Sequence, residues 1–267
     1  MKLISRILGA LMAASLFSLP AAAASTEEVT IEKSLTVLRD LQAIPDTRIP
    51  DLLLSRAEGI IILPANVKVG LMFGARFGNG VMLVRNPDRS WSNPVFVSSG
   101  GGSWGFQAGG QVSDIVLVLT TRNSVEGITD GKLTLGADAS AAAGPVGRTA
   151  MAATSLNLDS EIYAYSKSQG LFAGVSLEGN AILIGKKSNK RFYGDSSATT
   201  ILASKEAPPA PAPTLVAEVT KLTTTATSAV VEEQAAKETN PATAAPATEA
   251  KTYPMPDAEP GTEPPGT

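Results

Sequence analysis

The chain has 267 residues, with 22 Lys or Arg against 25 Asp or Glu, and it contains neither histidine nor cysteine. Their absence excludes Ser-His-Asp and Cys-His nucleophilic catalysis, zinc sites built on His or Cys, imidazole acid-base work and disulfides. The core must therefore hold by packing alone, which a domain of this size can do.

In chain order, Lys2 and Arg6 precede the apolar ILGALMAASLF, and Leu19-Pro20 followed by Ala22-Ala23-Ala24 supplies a small-x-small cleavage pattern. That pattern predicts a secretory signal peptide over 1–24. Its apolar run is shorter than the ~20 residues of a bilayer span, and no cysteine comes after it that would carry a lipid anchor. The mature chain is expected to begin near Ser25, soluble and exported, either periplasmic or secreted.

Ser25 stands three residues before Glu28, the capping-box spacing. Behind it Ile31, Leu35, Leu38 and Val37, Leu41, Ile44 recur at three and four residues, with Glu32, Lys33, Arg39 and Asp40 off the stripe. The spacing predicts an amphipathic helix from about Thr26 to Ala43. Its stripe either packs on the protein's own core or lies on a membrane. A second, shorter helix is expected from Pro50 to Gly59.

The run IIIL, Ile60 to Leu63, reads as a buried strand. Strand and turn signals then alternate through VKVGLMFGARF, an Asn-Gly turn at Gly78-Asn79-Gly80, VMLVR, the Asn86-Pro87-Asp88 turn and SWSNPVFV. After a glycine run at Gly100 to Gly102, DIVLVLT from Asp114 to Thr120 is apolar throughout, as expected of a strand covered on both faces. A brief helix is expected over Asn123 to Ile128, and further strands at LTLG, Glu161 to Ser166, FAGVSLE and AILIG. The fold class is α+β: N-terminal amphipathic helices followed by a curved, largely antiparallel β-sheet of many short strands.

The domain is expected to occupy 25–205. Its 17 Lys or Arg against 16 Asp or Glu give no basic footprint of the kind nucleic acid demands. From Glu206 to Thr267 the sequence turns to PPAPAPT, TTTATS and PATAAPATEA, with nine Asp or Glu against three Lys. That composition predicts a disordered acidic Pro/Ala/Thr-rich tail; a helical island around Val216 to Val231 is opposed by the threonine run.

Several short motifs match catalytic patterns by letter. Gly101-Gly102-Ser103-Trp104-Gly105 spells G-x-S-x-G, but the serine lacks a histidine partner and a strand-turn-helix setting. The same stretch spells G-x-G-x-x-G, yet FQAGGQVSDIVLVLT behind it is β-like rather than helical. Tyr163-x-x-x-Lys167 lacks a nucleotide-binding fold before it. Ser166 and Lys167 are adjacent on a strand and so point to opposite faces. No spacing selects a pair among Asp114, Asp138, Glu161 and Glu178. Lys167 and Glu178 read as a structural pair.

Taken together, RSWSNPVFV (Arg89 to Val97), GFQAGGQVSDIVLVL (Gly105 to Leu119), KLTLGADASAAAGPVGR (Lys132 to Arg148), IYAYSKSQGLFAGVSLEG (Ile162 to Gly179) and NKRFYG (Asn189 to Gly194) resemble the SYLF domain family. The likeness extends in order from about Thr26 to Ala203. These are lipid-binding domains of fungal and animal membrane-trafficking proteins, found in bacteria with signal peptides. The resemblance implies phospholipid binding without catalysis and without a cofactor. In eukaryotic relatives the amphipathic helix and basic residues engage phosphoinositides, sometimes beside actin-binding activity and an SH3 domain. An acidic tail stands here in place of an SH3 segment, and phosphoinositides and actin are not carried over.

The expected lipid-binding cations are Lys33 and Arg39 on the first helix, Arg148 after a glycine-rich loop, Lys167, and the basic loop Lys186, Lys187, Lys190 and Arg191. Arg148 has two readings, phosphate ligand or ion-pair partner of Glu161 or Glu178. The partner expected is an anionic phospholipid surface, met through the amphipathic helix and basic loops. The alternative is an envelope scaffolding protein whose tail recruits a protein partner.

Overall fold

A computed structural model describes residues 24–43, 48–70, 73–104, 109–145, 159–168, 171–175, 177 and 179–239. The signal segment and Arg148 lie outside these residues, as do Glu178 and the chain beyond 239.

Helix α1, Thr26–Ala43, begins at the capping box its sequence announces. The Ser25 amide donates to Glu28 Oε2 (3.0 Å) and the Glu28 amide donates to Ser25 Oγ (3.2 Å). Helix α2, Asp51–Arg56, starts after Pro50, and four long strands come next: β1 Gly59–Gly70, β2 Phe73–Val84, β3 Val95–Trp104 and β4 Gly109–Leu119. Helix α3, Arg122–Thr129, is capped by Thr121, whose hydroxyl accepts from the Ser124 amide. The short strands β5 Lys132–Thr134, β6 Ala141–Ala143, β7 Ile162–Ser168, β8 Leu171–Gly174 and β9 Asn180–Ile184 lead to helices α4 Lys186–Tyr193, α5 Ala198–Ala203 and α6 Ala212–Thr239.

The strands form one curled sheet in the order β5-β9-β3-β2-β1-β4-β7-β6, with β8 also paired to β7. Every pairing is antiparallel except β6 with β7. The architecture is the expected α+β.

Strand periodicity sends alternate side chains to two separate cores. Ile60, Ile62, Val81, Leu83, Val116, Val118, Tyr163 and Tyr165 face α1, α2 and α6. Their neighbours Ile61, Leu63, Met82, Ile115, Leu117, Leu119 and Ile162 face α3 and α5. That double coverage explains why DIVLVLT and IIIL carry no polar alternation.

The Asn-Gly turn expected at Gly78-Asn79-Gly80 is not there: β2 runs straight through it. The register of β1 shifts between Ile62 and Val67, opposite these glycines. A Cβ on Gly80 would stand 1.9 Å from the Ile62 carbonyl oxygen. The glycine serves close strand approach beside a bulge, not a turn. The glycine run at Gly100 to Gly102 likewise lies within β3.

The expected tail boundary also moves. Instead of disorder from Glu206, residues 212–239 are helical. Ala212, Leu215, Val219 and Ala226 of α6 are buried in the α1-side core. Thr223 reaches the same core with its hydroxyl, which accepts from Trp91 Nε1 (3.0 Å) and donates to the Val219 carbonyl (2.9 Å). The chain divides into units 1–230 and 231–267; the described residues of the second are the helical 231–239. No helix among the described residues is long and apolar enough to cross a membrane.

Candidate functional site

The segment expected as a basic loop is a helix. Lys186, Lys187, Lys190 and Arg191 belong to α4, and at 3.6 residues per turn they fall within an arc of about 140°. The opposite side of α4 is fastened to β3. Asn189 is fully buried and its Oδ1 accepts from the Phe96 amide (2.7 Å). The Phe192 ring meets Phe96 edge-on at 5.4 Å and Tyr193 at 4.9 Å. Tyr193 donates its hydroxyl to the Pro94 carbonyl (2.6 Å), and burial pushes its phenol above the ordinary range. Gly194 ends the helix in the left-handed conformation at φ 77°, where its N–H caps the Lys190 carbonyl. With one side bolted down, the cationic side can only face outward.

The expected cations divide by what they touch. Lys33, Lys186, Lys187 and Lys190 are exposed, and none forms an ion pair among the described residues. Arg191 pairs with Glu27 of α1, donating from Nε at 2.8 Å, while its Nη2 reaches Ser188 Oγ at 3.0 Å. Arg39 pairs with Glu218 of α6 at 3.1 Å. Lys167 pairs with Asp40 of α1; the Glu178 expected as its partner lies outside the described residues. Arg39, Lys167 and Arg191 thus tie α1 to α6, to the sheet and to α4.

The apolar stripe of α1 is settled in the same way. Ile31, Leu38 and Leu41 are fully buried and Val37 nearly so, which places the stripe in the core rather than on a membrane. Its charged side is what α1 offers to solvent.

Among the described residues, Ser103, Asp114 and Asp138 of the catalytic letter-matches stand in structural settings. Ser103 lies near the end of strand β3, not at a strand-to-helix turn. Asp114 Oδ1 accepts from the Ala65 amide (2.9 Å) at the β1 bulge, where Ala65 has φ 54°. Asp138 Oδ2 accepts from the Thr134 amide (2.6 Å). Each carboxylate is spent on backbone geometry.

Sequence reasoning missed a further charged cluster. Glu58 bridges Arg89 (2.8 Å) and Arg122 (3.1 Å), and Arg122 also donates to the Arg85 carbonyl. Arg85 is buried with its guanidinium 4.3 Å from the centre of the Trp91 ring, and its Nη1 reaches Thr223 Oγ1 at 3.4 Å. Burial, reinforced by nearby Arg89 and opposed by Glu58, lowers its pKa to about 10. The RSW motif announced the ring; its partner on α6 lies 132 residues away and left no local signal.

Fold and site together present a fixed cationic helix beside a two-faced sheet. Comparisons with known proteins show what the chain resembles. Residues 100–222 match the family model described as Ysc84, Las17-binding protein actin regulator. The chain is 40% identical over 175 residues to Protein YSC84 of Saccharomyces cerevisiae, covering 64% of this chain and 37% of the yeast protein. It is 39% identical over 170 residues to LAS seventeen-binding protein 3 of the same yeast, covering 62% and 37%. It is 38% identical over 168 residues to the human SH3 domain-containing YSC84-like protein 1, covering 61% and 49%. The likeness to the Ysc84/SYLF domain family is thereby established, and the chain spans half or less of the length of these relatives.

Proposed function

We propose that this chain is an exported, non-catalytic protein that binds anionic phospholipid surfaces through the cationic side of α4. The observation that carries the reading is the placement of Lys186 and Lys187. They occupy the first turn of α4, which holds no acidic residue, although the helix dipole disfavours cations there by roughly 0.3–1 kcal/mol each. A local rule broken with no compensating ion pair among the described residues points to a partner outside the chain. Near an anionic bilayer each cation contributes about 1 kcal/mol, enough to reverse that penalty.

Export rests on the N-terminal sequence pattern. The absence of catalysis rests on the sheet setting of Ser103 and on the ion pair that occupies Lys167. The buried stripe of α1 removes the inserted helix from the reading; α1 contributes Lys33 and its charged side only.

Co-sedimentation of the full chain with phosphatidylglycerol vesicles tests the proposal. Replacing Lys186, Lys187 and Lys190 with alanine removes about 3 kcal/mol of attraction and is expected to weaken binding on the order of a hundredfold. Arg191 is left in place because it holds Glu27. Equal sedimentation of both proteins would refute the reading. The relatives' names, which include Las17-binding, favour a protein partner as the second reading; binding unaffected by lipid composition would support it.

A further inference from the structure

Beyond α1, the sheet face that this helix covers continues along β1, β2 and β4 with its side chains in the open. In register, Phe77 of β2 stands beside Val67 of β1, and Val67 beside Val112 of β4. Val69 lies one step further along the same face. Phe77 is 52% exposed, Val112 58% and Val69 42%. Phe77 is four residues from Val81, and Val112 four from Val116, so this face continues the α1-side core.

Three observations say what covers it. On the opposite face of the same strands, Lys68 is the direct cross-strand neighbour of Arg76, so the apolar side chains of one face are backed by basic side chains on the other, the two-sided pattern of an element that lies between an apolar layer and an anionic one. The flanking positions Gly100, Gly102 and Gly110 are glycines that the chain does not require. A Cβ at Gly100 would meet nothing within 4 Å, and the nearest atoms at Gly102 and Gly110 are 4.0 and 3.9 Å away. Strand glycines without an internal reason mark surfaces that another body approaches closely. Finally, β1 and β2 are hydrogen-bonded on both sides, so their backbone carries no open sheet edge, the feature that bars a strand from apolar surroundings.

We infer that this bare sheet face enters the apolar boundary of an anionic bilayer, with Phe77 and Val112 leading and Lys68 and Arg76 at the level of the headgroup phosphates. An apolar face below and cations above is the arrangement that holds an amphipathic element in the interface plane, and the long stems of Lys and Arg reach from one layer to the other. The inference rests on the lipid-surface reading and adds the inserted element to it. Cationic α4 supplies salt-sensitive attraction; the sheet face supplies attachment that salt does not screen.

The test uses the full chain, a Phe77→Ser/Val112→Ser variant and the Lys186, Lys187, Lys190→Ala variant with mixed phosphatidylglycerol and phosphatidylcholine vesicles at low and high salt. Every substituted position is exposed, and matched thermal unfolding verifies the fold. The wild type is expected to keep a bound fraction at high salt that the serine variant loses at least tenfold. A Phe77→Trp chain is expected to show emission quenched by lipids brominated along the acyl chains. Wild-type binding at low salt with neither the salt-resistant fraction nor the quenching would overturn this inference and leave the lipid-surface reading standing. Wild-type chain that ignores vesicles altogether would overturn both. A dimer that the serine pair dissociates, with no change in vesicle binding, would make the face an interface between copies and overturn it as well.

Discussion

Glu27 is 5% exposed, yet it stays ionised below the ordinary carboxylate range. Burial alone would raise its pKa; hydrogen bonds with Arg191 and Ser188, its own backbone amide and the charge of Arg191 together outweigh that and hold it below 4.5. Because the folded pKa is the lower one, the stabilisation is fully present above the unfolded value and is lost as pH falls through the folded value. Glu27→Gln is expected to destabilise the domain by about 1.5–3 kcal/mol near neutrality. It should also flatten the loss of stability below pH 4.5, as denaturant titrations across pH would show. Gly144 is constrained from another direction. A Cβ there would stand 2.2 Å from Cζ of Tyr165, a ring that is fully buried. Gly144→Ala is expected to cost about 1–3 kcal/mol through overpacking, with Gly131→Ala as a poor control because Gly131 has φ 139° and Gly100→Ala as a good one. Neither constraint is visible in sequence, since Glu27 reads as one more acidic residue of a first turn and Gly144 as one more glycine of AAAGPVG.

Among the elements, α6 departs furthest from expectation. Threonines at 220, 223, 224, 225 and 227 lower helix propensity, and the prolines before it suggest a linker, so local composition reads as disorder. What fixes the helix is tertiary: the 215, 219 and 226 positions are buried against the sheet, and Thr223 satisfies the Trp91 indole. Most helices in proteins owe their stability to such packing rather than to propensity. Thr223→Val removes the indole's acceptor and is expected to cost about 1–3 kcal/mol, whereas Thr224→Val on the exposed side should be neutral in thermal unfolding. The same reasoning covers α4. KKSNKRFYG contains its own C-terminal glycine, but the anchors Asn189 and Phe192 act on Phe96, across a sheet register that no local window contains. By contrast α1, α3 and the buried strands were legible because a capping box, a 3.6-residue stripe and unbroken apolar runs are local signals.

At the scale of the whole molecule, the α+β class and the largely antiparallel sheet follow from the sequence of local signals, and the family likeness follows from co-linear blocks over most of the domain. The candidate site was legible as a list of cations and not as an arrangement. Folding spends Arg39, Lys167 and Arg191 on ion pairs and leaves Lys186, Lys187 and Lys190 together on one side of a fixed helix. In the account proposed above, charge draws the protein to an anionic surface and the apolar face of β1, β2 and β4 holds it there. The most direct measurement is co-sedimentation of the full chain with phosphatidylglycerol and with neutral phosphatidylcholine vesicles, beside the Lys186, Lys187, Lys190→Ala variant. Wild-type chain is predicted to bind the anionic vesicles, and the variant to bind them on the order of a hundredfold more weakly. Equal binding of both chains, or equal binding to neutral and anionic vesicles, would contradict a cationic helix that docks on lipid.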